Sequence, residues 1–424
     1  MKFIYKLLSL SLAIACLSGC SAANTEIASS SAATATVTPT TDSTEVSASN
    51  NVFTSAGDGL YVTTDSGIYE LQTVFPDSAN IFYTDANTKE RIFLCANPNC
   101  THADESCPSY IATPSAMFPP MLLRVGDQLL VVFTEATDSS NPHGMLMNMD
   151  GSNRRTVFEL ASNQYMQGGF CTSGNDLYFD LYEINDSGNV TYQLWYVSFE
   201  NGTSEKLMDL GSDSDHYSLC DGANNELCFN HVSSDGISYC MYNPQSKTIS
   251  DPFFVDSSVS GNSMIQDGYL FVLDEQASSV QRIRLSDKEQ ASASFTVKEG
   301  FGAPSMRYLF DGNLMITEAQ TTASDIPTDG SYGVCSYILD FGTRNCTEFT
   351  LQTPYNNRPV YVLTTIGDAC YVATDYKTYT PTSVSEDGTV SNFDYVANIY
   401  AFITKQDYIN SNQNGYSMVK DAFE

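Results

Sequence analysis

The sequence has few basic residues, one tryptophan and four histidines. Its 424 residues contain 19 Lys and Arg against 50 Asp and Glu, which gives a formal net charge of −31 at pH 7. A protein that binds nucleic acid needs a basic surface to displace counterions from phosphates, so this charge balance excludes a nucleic-acid partner. The sequence also lacks the G-x-S-x-G, H-E-x-x-H and G-x-x-x-x-G-K motifs, and it therefore offers no familiar hydrolase, metalloprotease or nucleotide site.

Helical patterns are absent as well. The sequence shows no heptad repeat and no long segment with a period of 3.6 residues, which disfavours coiled coils and helical bundles. It has instead 42% hydrophobic and 12% aromatic residues, arranged as short Tyr- and Phe-rich runs after Gly, Asp and Asn turn signals. This share can bury a core and excludes a disordered chain, and the turn signals predict a fold made of strands.

The N-terminus has the pattern of an export signal. Lys2 and Lys6 precede an apolar run from Leu7 to Cys16, which is too short to span a bilayer as a mature helix. The next four residues, Leu17–Cys20, resemble a bacterial lipobox, which implies removal of residues 1–19 and lipidation of Cys20. Acyl chains contribute about 0.8 kcal/mol per buried methylene, so they would anchor the protein to the outer face of the bacterial cell membrane. The alternative is an ordinary signal peptide with an incidental cysteine.

A tether is expected to follow the lipidated cysteine. Of residues 21–50, 21 are Ser, Thr or Ala, and none is aromatic or basic. Such a segment cannot bury enough apolar surface to fold. The predicted organisation is therefore a signal peptide over residues 1–19, an anchor and tether over 20–50, and one folded domain over 51–424.

One turn-and-strand signal recurs along the folded domain, at intervals of about 43 to 69 residues. Its seven copies are Gly57–Val62, Gly126–Leu130, Gly174–Phe179, Asn225–Phe229, Asp267–Phe271, Asp311–Met315 and Gly367–Tyr371. This spacing is close to the length of a four-stranded propeller blade. The prediction is an all-β fold with a single β-propeller of seven blades, with six or eight as the neighbouring choices. The alternative is a pair of β-sandwiches whose hairpins share Gly-Asp turns.

A short segment adds a family resemblance. Residues Met147–Thr156, which read MNMDGSNRRT, resemble the Asp-Gly-Ser-Asn hairpin of TolB-like propeller repeats. The resemblance covers about ten residues. It implies the propeller architecture and no catalytic residue.

A cluster of cysteines and one histidine stands out in the first repeat. Cys95, Cys100, His102 and Cys107 lie within thirteen residues, with the spacing C-x4-C-x-H-x4-C. Zinc favours tetrahedral thiolate and imidazole ligands, and a Cys3His set fills all four positions. The predicted cofactor is thus one structural zinc. Disulfides are the competing prediction, because thiols outside the cytoplasm tend to oxidise.

The same cluster, followed by Pro108, resembles an element of surface lipoproteins from Gram-positive bacteria of the Bacillota and Clostridia type. These proteins combine a lipid anchor with a TolB-like β-propeller. The resemblance implies an anaerobic habitat, in which free thiolates persist outside the cell.

A second candidate site comes from acids at the repeated turns. If the turns lead into the innermost strands, their carboxylates surround one mouth of the central channel and could collect calcium or a cationic ligand. The alternative is that each acid bonds its own turn backbone. The acids of this predicted collar are Asp58, Asp127, Asp176, Glu226, Asp267, Asp311 and Asp368.

These patterns favour a lipid-anchored extracytoplasmic propeller that binds or scaffolds a protein or glycan partner. The alternative is a propeller enzyme that acts on extracellular polysaccharide with acids at the channel mouth. A third hypothesis, metal sensing by the Cys/His cluster, requires an exchangeable ion.

Overall fold

The computed structural model describes residues 53–55, 59–75, 78–113, 118–256, 262–320, 333–379, 382–384, 390–392 and 395–421. The predicted signal peptide, Cys20, the tether and Asp58 lie outside these ranges. In the described part, no helix is both long and apolar enough to cross a membrane.

The chain is built from antiparallel strands that follow one another as units of four or five strands. Strand β1 (Thr54–Ser55) precedes the first unit. The first unit contains β2 (Tyr61–Thr63), β3 (Gly67–Phe75), β4 (Ser78–Asp85), β5 (Arg91–Phe93) and β6 (Tyr110–Ala112). The second contains β7 (Met121–Val125), β8 (Gln128–Phe133), β9 (His143–Asn148) and β10 (Arg155–Glu159), and the third contains β11 (Gln164–Ser173), β12 (Asp176–Ile184), β13 (Val190–Ser198) and β14 (Thr203–Ser212). The fourth contains β15 (Asp215–Ala223), β16 (Glu226–Ser233), β17 (Gly236–Asn243), β18 (Thr248–Ile249) and β19 (Phe254–Asp256).

Three further units complete the series. They contain β20 (Ser263–Gln266), β21 (Tyr269–Asp274), β22 (Ser279–Arg284) and β23 (Gln290–Ser294); β24 (Phe301–Tyr308), β25 (Leu314–Gln320), β26 (Val334–Asp340) and β27 (Asn345–Phe349); and β28 (Val362–Ile366), β29 (Ala369–Tyr379), β32 (Tyr395–Thr404) and β33 (Ser417–Met418). The short helix α1 (Lys405–Ile409) follows β32. Between β29 and β32, the described residues include the hairpin of β30 (Thr382–Val384) and β31 (Val390–Asn392).

The first strands pack side by side at five of the seven seams, and buried apolar clusters join the fifth unit to the sixth and the sixth to the seventh. Strand β7 contacts β2 and β11, β15 contacts β11 and β20, and β28 contacts β2. At this last contact, the Thr63 and Thr364 hydroxyl oxygens lie 2.9 Å apart. A series of sheets whose first and last members meet is a closed ring, which protects the strand edges. The fold is therefore an all-β propeller, as predicted, and we interpret the seven units in the described residues as its blades. The third and fourth blades are also joined in one sheet, because β14 pairs with β15, and β1 pairs with β11 in the same sheet.

The core lies between neighbouring blades. Leu130 and Leu146 of the second blade, for example, pack in one buried cluster with Leu177 and Phe179 of the third. All four side chains have no exposed surface. Burying each contributes roughly 1.5–3 kcal/mol, so the alternating apolar positions of the strands hold the blades against one another.

The repeated turns differ in position from the sequence expectation. Val125 pairs with Gln128 and Ser173 with Asp176, so the residues between them form two-residue hairpin loops from the first strand of a blade to the second. Gly126, Gly174 and Gly367 have φ of 56°, 60° and 54°, the left-handed conformation that such loops require. The turns thus lead into the second strand and not into the innermost one. The first copy is out of step, because it precedes β2 itself.

The C-terminal segment joins the last blade to the first. β33 pairs with β32, and the next residues extend to the first blade, where the Arg91 N–H donates to the Lys420 carbonyl oxygen at 2.8 Å. The buried Arg91 guanidinium lies 2.9 Å from Glu70 and 3.2 Å from Asp421. The Tyr400 hydroxyl of the last blade donates to the other Glu70 oxygen at 2.6 Å. Removing one partner of such a buried ion pair would leave the other charge buried and unpaired, which is strongly destabilising. The contact therefore stabilises the closed ring.

Candidate metal centre

The Cys/His cluster lies in an insertion that interrupts the outer strand of the first blade. Strands β5 and β6 both pair with β4, and residues 94–109 form the insertion between them. The Leu94 N–H donates to the Ile81 carbonyl oxygen at 2.9 Å, and the Ile81 N–H donates to the Ser109 carbonyl oxygen at 2.8 Å. Both ends of the insertion are therefore fixed to one residue of β4.

The insertion brings the four predicted ligands together. The donor atoms of Cys95, Cys100, His102 and Cys107 all lie within 4.8 Å of one another. In a tetrahedral zinc site, neighbouring sulfur ligands are about 3.8 Å apart. The four donor atoms would therefore need to move only slightly closer together to coordinate zinc. Within the described ranges, this is the one group of three or more His, Cys, Asp or Glu side chains close enough to share a metal ion.

Local turns explain how a short insertion converges its side chains. The Cys100 N–H donates to the Asn97 carbonyl oxygen at 3.1 Å, and the Cys107 N–H donates to that of Asp104 at 3.0 Å. Between these turns, His102 has a φ of 55°, which reverses the chain direction. The imidazole stacks on Phe93, with ring centres 4.0 Å apart and planes 7° from parallel. The stack fixes the ring beside the three thiols.

The three thiols differ in their electrostatic surroundings. Burial raises the pKa of Cys107, but hydrogen bonds with His102 and Ser109 outweigh that effect and lower the pKa to about 6. The distances are 3.2 Å to His102 Nδ1 and 3.1 Å to Ser109 Oγ. Burial raises the pKa of Cys95 to about 12, and it also raises the pKa of Cys100. A divalent cation favours the thiolate form of every sulfur that it binds.

The second blade supports the end of the insertion. The Arg154 guanidinium donates to the carbonyl oxygens of Pro108 and, at 2.6 Å, of Tyr110. Gly151 lies against the Pro108 carbonyl group so closely that a Cβ atom there would collide with it. Both residues belong to the Met147–Thr156 hairpin that resembles TolB-like repeats. The sequence indicated the hairpin and the cluster separately and gave no signal that they touch, or that Ser109 contacts a ligand.

The described cysteines are all free thiols. They are Cys95, Cys100, Cys107, Cys171, Cys220, Cys228, Cys240, Cys335, Cys346 and Cys370. The structure therefore contains the convergent thiols of the metal hypothesis, and it forms no disulfide among these residues.

The six collar acids within the described residues do not form a group that could share a metal ion. Asp127 is the second residue of its hairpin loop, Asp267 is the first residue of its loop, and Asp176 is the first residue of its second strand. Side chains at different hairpin positions point in different directions, so the acids do not form one ring of ligands. Glu226 begins β16, as Asp176 begins β12, and Asp368 lies in the loop before β29.

Most of these acids have a partner of their own. Asp311 binds the Lys405 ammonium group at 2.9 Å, and Asp127 lies 3.5 Å from Arg124. Asp176 accepts a hydrogen bond from Tyr196 at 3.1 Å, and Asp267 accepts one from Tyr308. Only the contact of Asp127 is local in sequence, and the other three acids bond side chains from distant parts of the chain. These contacts give calcium no shared site in the described residues.

Comparison with known proteins gives a resemblance in fold. No family model and no curated protein matches the sequence. Among solved structures, TolB from Acinetobacter baumannii is 8% identical with a TM-score of 0.34, covering 84% of this chain and 77% of TolB. The propeller domain of the Trilobed protease from Pyrococcus furiosus is 13% identical with a TM-score of 0.36, covering 72% and 99%. The tricorn protease is 10% identical with a TM-score of 0.32, covering 81% of this chain, which spans 35% of that protein.

Proposed function

We propose that this protein is an extracytoplasmic binding propeller, anchored to the outer face of the cell membrane through lipid on Cys20. Its partner would be a protein or a glycan. The Cys3His cluster would hold one structural zinc ion that fixes the insertion of the first blade.

The closed donor set is the observation that supports the structural zinc site most directly. Three sulfurs and one imidazole nitrogen fill the four positions that zinc takes in structural sites, and none is left for water or substrate. The insertion is attached at both ends to Ile81 and is held by Arg154 of the next blade. A metal at this place would shape a surface and would not catalyse a reaction.

The polysaccharide-cleaving alternative finds less support. It requires two carboxyl groups that face one bond across about 5 to 9.5 Å. Asp311 and Asp127 are each paired with a base, and Asp267 is held by Tyr308. These contacts favour the binding role over the enzyme.

Binding can be tested on the chain carrying Cys20→Ala, which removes the acylation site. We expect this soluble chain to be retained on isolated cell-wall glycan or on one extracellular protein, and to leave the polymer uncut. If the chain releases reducing sugar ends from the polymer and every collar-acid variant keeps this activity, the collar acids are not the catalytic groups. Loss of that activity in one or two Asp→Asn variants would establish the enzyme instead.

Anchoring needs a separate measurement. We expect labelled palmitate to enter the full chain and the chain to sediment with membranes, and Cys20→Ala to abolish both. Labelling of the Cys20→Ala chain would contradict lipidation at this residue.

A further inference from the structure

A cavity of about 420 Å³ lies where the first, second and last blades meet. Its polar lining includes Thr63, Thr64, Asp65, Lys89, Arg124 and Thr365. Thr63 is the last residue of β2, Thr64 and Asp65 follow it, and Thr365 belongs to β28. The cavity therefore lies at the seam that closes the ring. Its volume is within the range of small-molecule sites.

Two cations at one cavity are notable in a chain with 19 basic residues against 50 acidic ones. Lys89 has a φ of 61°, and its ammonium group lies 4.0 Å from the centre of the Phe402 ring while donating to the Ala86 carbonyl oxygen. Arg124 donates from Nε to the Gly126 carbonyl oxygen at 2.9 Å. Each cation is thus positioned by neighbouring groups. Arg124 also lies 3.5 Å from Asp127, but both side chains are exposed, and such a surface pair is weak enough for a carboxylate in the cavity to compete with it. The Lys89 ammonium group has two N–H donors beyond the one that it gives to Ala86.

The remaining polar groups suit a ligand with hydroxyl groups. The Thr63 hydroxyl already bonds that of Thr364 at 2.9 Å, and the Thr64 hydroxyl donates to the Gly67 carbonyl oxygen at 3.0 Å, so both offer a ligand mainly acceptor capacity. Thr365 contributes a further hydroxyl, and Asp65 contributes a carboxylate acceptor. The Asp65 carboxylate would repel a bare inorganic anion in this cavity. A ligand with one carboxylate and several hydroxyls can place the carboxylate beside the cations and the hydroxyls beside Asp65 and the threonines.

We propose that this cavity binds a sugar acid of monosaccharide size, free or as the end of a glycan, through Lys89 and Arg124. The inference rests on the proposed binding function and names the ligand class. The carboxylate would lie between the two cations, and the threonine hydroxyls and Asp65 would bind the sugar hydroxyls.

The test is calorimetric titration of the Cys20→Ala chain with D-glucuronate, D-glucose and acetate. We expect saturable binding of glucuronate, and at least tenfold weaker binding of glucose and of acetate, because glucose lacks the carboxylate and acetate lacks the sugar hydroxyls. Equal affinity for glucose and glucuronate, or no saturable binding of glucuronate, would overturn the proposal.

Arg124→Gln has a closely matched control in Lys206→Gln. Arg124 and Lys206 side chains are each 42% exposed and each pairs with an acid three residues later. We expect Arg124→Gln to weaken glucuronate binding about tenfold and Lys206→Gln to leave it unchanged. An equal loss in both variants would mean that only net charge matters, which contradicts a site.

Lys89→Asn is the second variant, since Asn tolerates a positive φ. It should also lose about tenfold, provided that its unfolding midpoint matches that of the parent. If the Arg124→Gln chain no longer binds glucuronate but still retains cell-wall glycan, the proposed binding function stands and the sugar-acid site is not what determines it.

If the parent chain binds glucuronate but retains neither glycan nor protein, the sugar-acid site stands and the proposed binding function fails.

Discussion

The first and fourth blades have outer edges of the same design. In each, the third strand pairs with two short strands, β5 and β6 in the first blade and β18 and β19 in the fourth. In the fourth blade, four residues separate the two strands, and the Ser250 and Phe253 N–H groups donate to the Met241 and Tyr239 carbonyl oxygens at 2.8 and 2.9 Å. In the first blade, the insertion spans residues 94–109 and contains the Cys3His cluster.

A long polar insertion needs a cross-link that a short one does not. Four residues can be held by the hydrogen bonds of the edge itself. The longer insertion contains few apolar residues and cannot bury a core of its own, so a small segment of this kind is commonly stabilised by a metal or a disulfide. The cluster at its centre supplies the donors for such a cross-link.

The largest expected effect comes from breaking the cluster. Cys107→Ala should abolish zinc binding and lower the free energy of unfolding by on the order of 3 to 5 kcal/mol, because metal binding free energy is folding free energy in such sites. Zinc content and amide exchange at Leu94 and Ile81 are the measurements. Cys240→Ala, which removes a buried thiol from the fourth blade, should keep the zinc and cost about 1 kcal/mol. Equal loss in both variants would show that the cluster is ordinary packing.

Arg154→Ala separates the support of the insertion from the metal itself. The change removes donors to the Pro108 and Tyr110 carbonyl oxygens and should cost about 1 to 3 kcal/mol, with one zinc still bound. Exposed Arg155→Ala is the matched control and should be within about 0.5 kcal/mol of the parent. Denaturant midpoints measure both. No difference between the two variants would contradict the role given to Arg154.

The seam between the third and fourth blades is expected to depend on pH. Burial raises the pKa of Asp180 from 3.8 to about 7, although its Oδ2 accepts from the Leu219 N–H at 3.1 Å. The folded chain thus keeps a proton that the unfolded chain releases near pH 4, so this residue lowers stability as pH rises from about 4 to about 7.

Asp180→Asn should remove this part of the pH dependence while leaving the zinc site unchanged. Denaturant midpoints at pH 5 and pH 8 measure it, with exposed Asp213→Asn as the control. If the midpoint of Asp180→Asn changes between pH 5 and pH 8 as much as that of the parent, the raised pKa of Asp180 is not the cause of the pH dependence.

The smallest effect is expected at the short gap of the fourth blade. Ser250→Ala removes an acceptor for the Met241 N–H at 3.0 Å and should cost about 1 kcal/mol. Thermal unfolding measures it. A cost equal to that of Cys107→Ala would remove the contrast between the two edges.

Much of the architecture follows from local signals in the sequence. The turn repeats predicted the propeller because two-residue hairpins require residues that tolerate positive φ, and glycine supplies this at Gly126 and Gly174. The cluster was predicted as a group because all four ligands lie in one short segment, where local turns alone bring them together.

The remaining features depend on contacts between distant parts of the chain. The collar was placed on the innermost strands because a repeated strand has no mark that tells the first strand of a blade from the second. The contact of Arg154 with Pro108, the pair of Arg91 with Asp421 and the cavity at Lys89 and Arg124 join segments of different blades. Only the folded ring brings these residues together.

Native mass spectrometry of the Cys20→Ala chain, with thiol alkylation before and after chelation, tests the central claim most directly. We expect one zinc ion per chain, with Cys95, Cys100 and Cys107 protected until the metal is removed while exposed Cys346 reacts at once. A metal-free chain whose three cluster thiols react as fast as Cys346, or are joined in a disulfide, would contradict it.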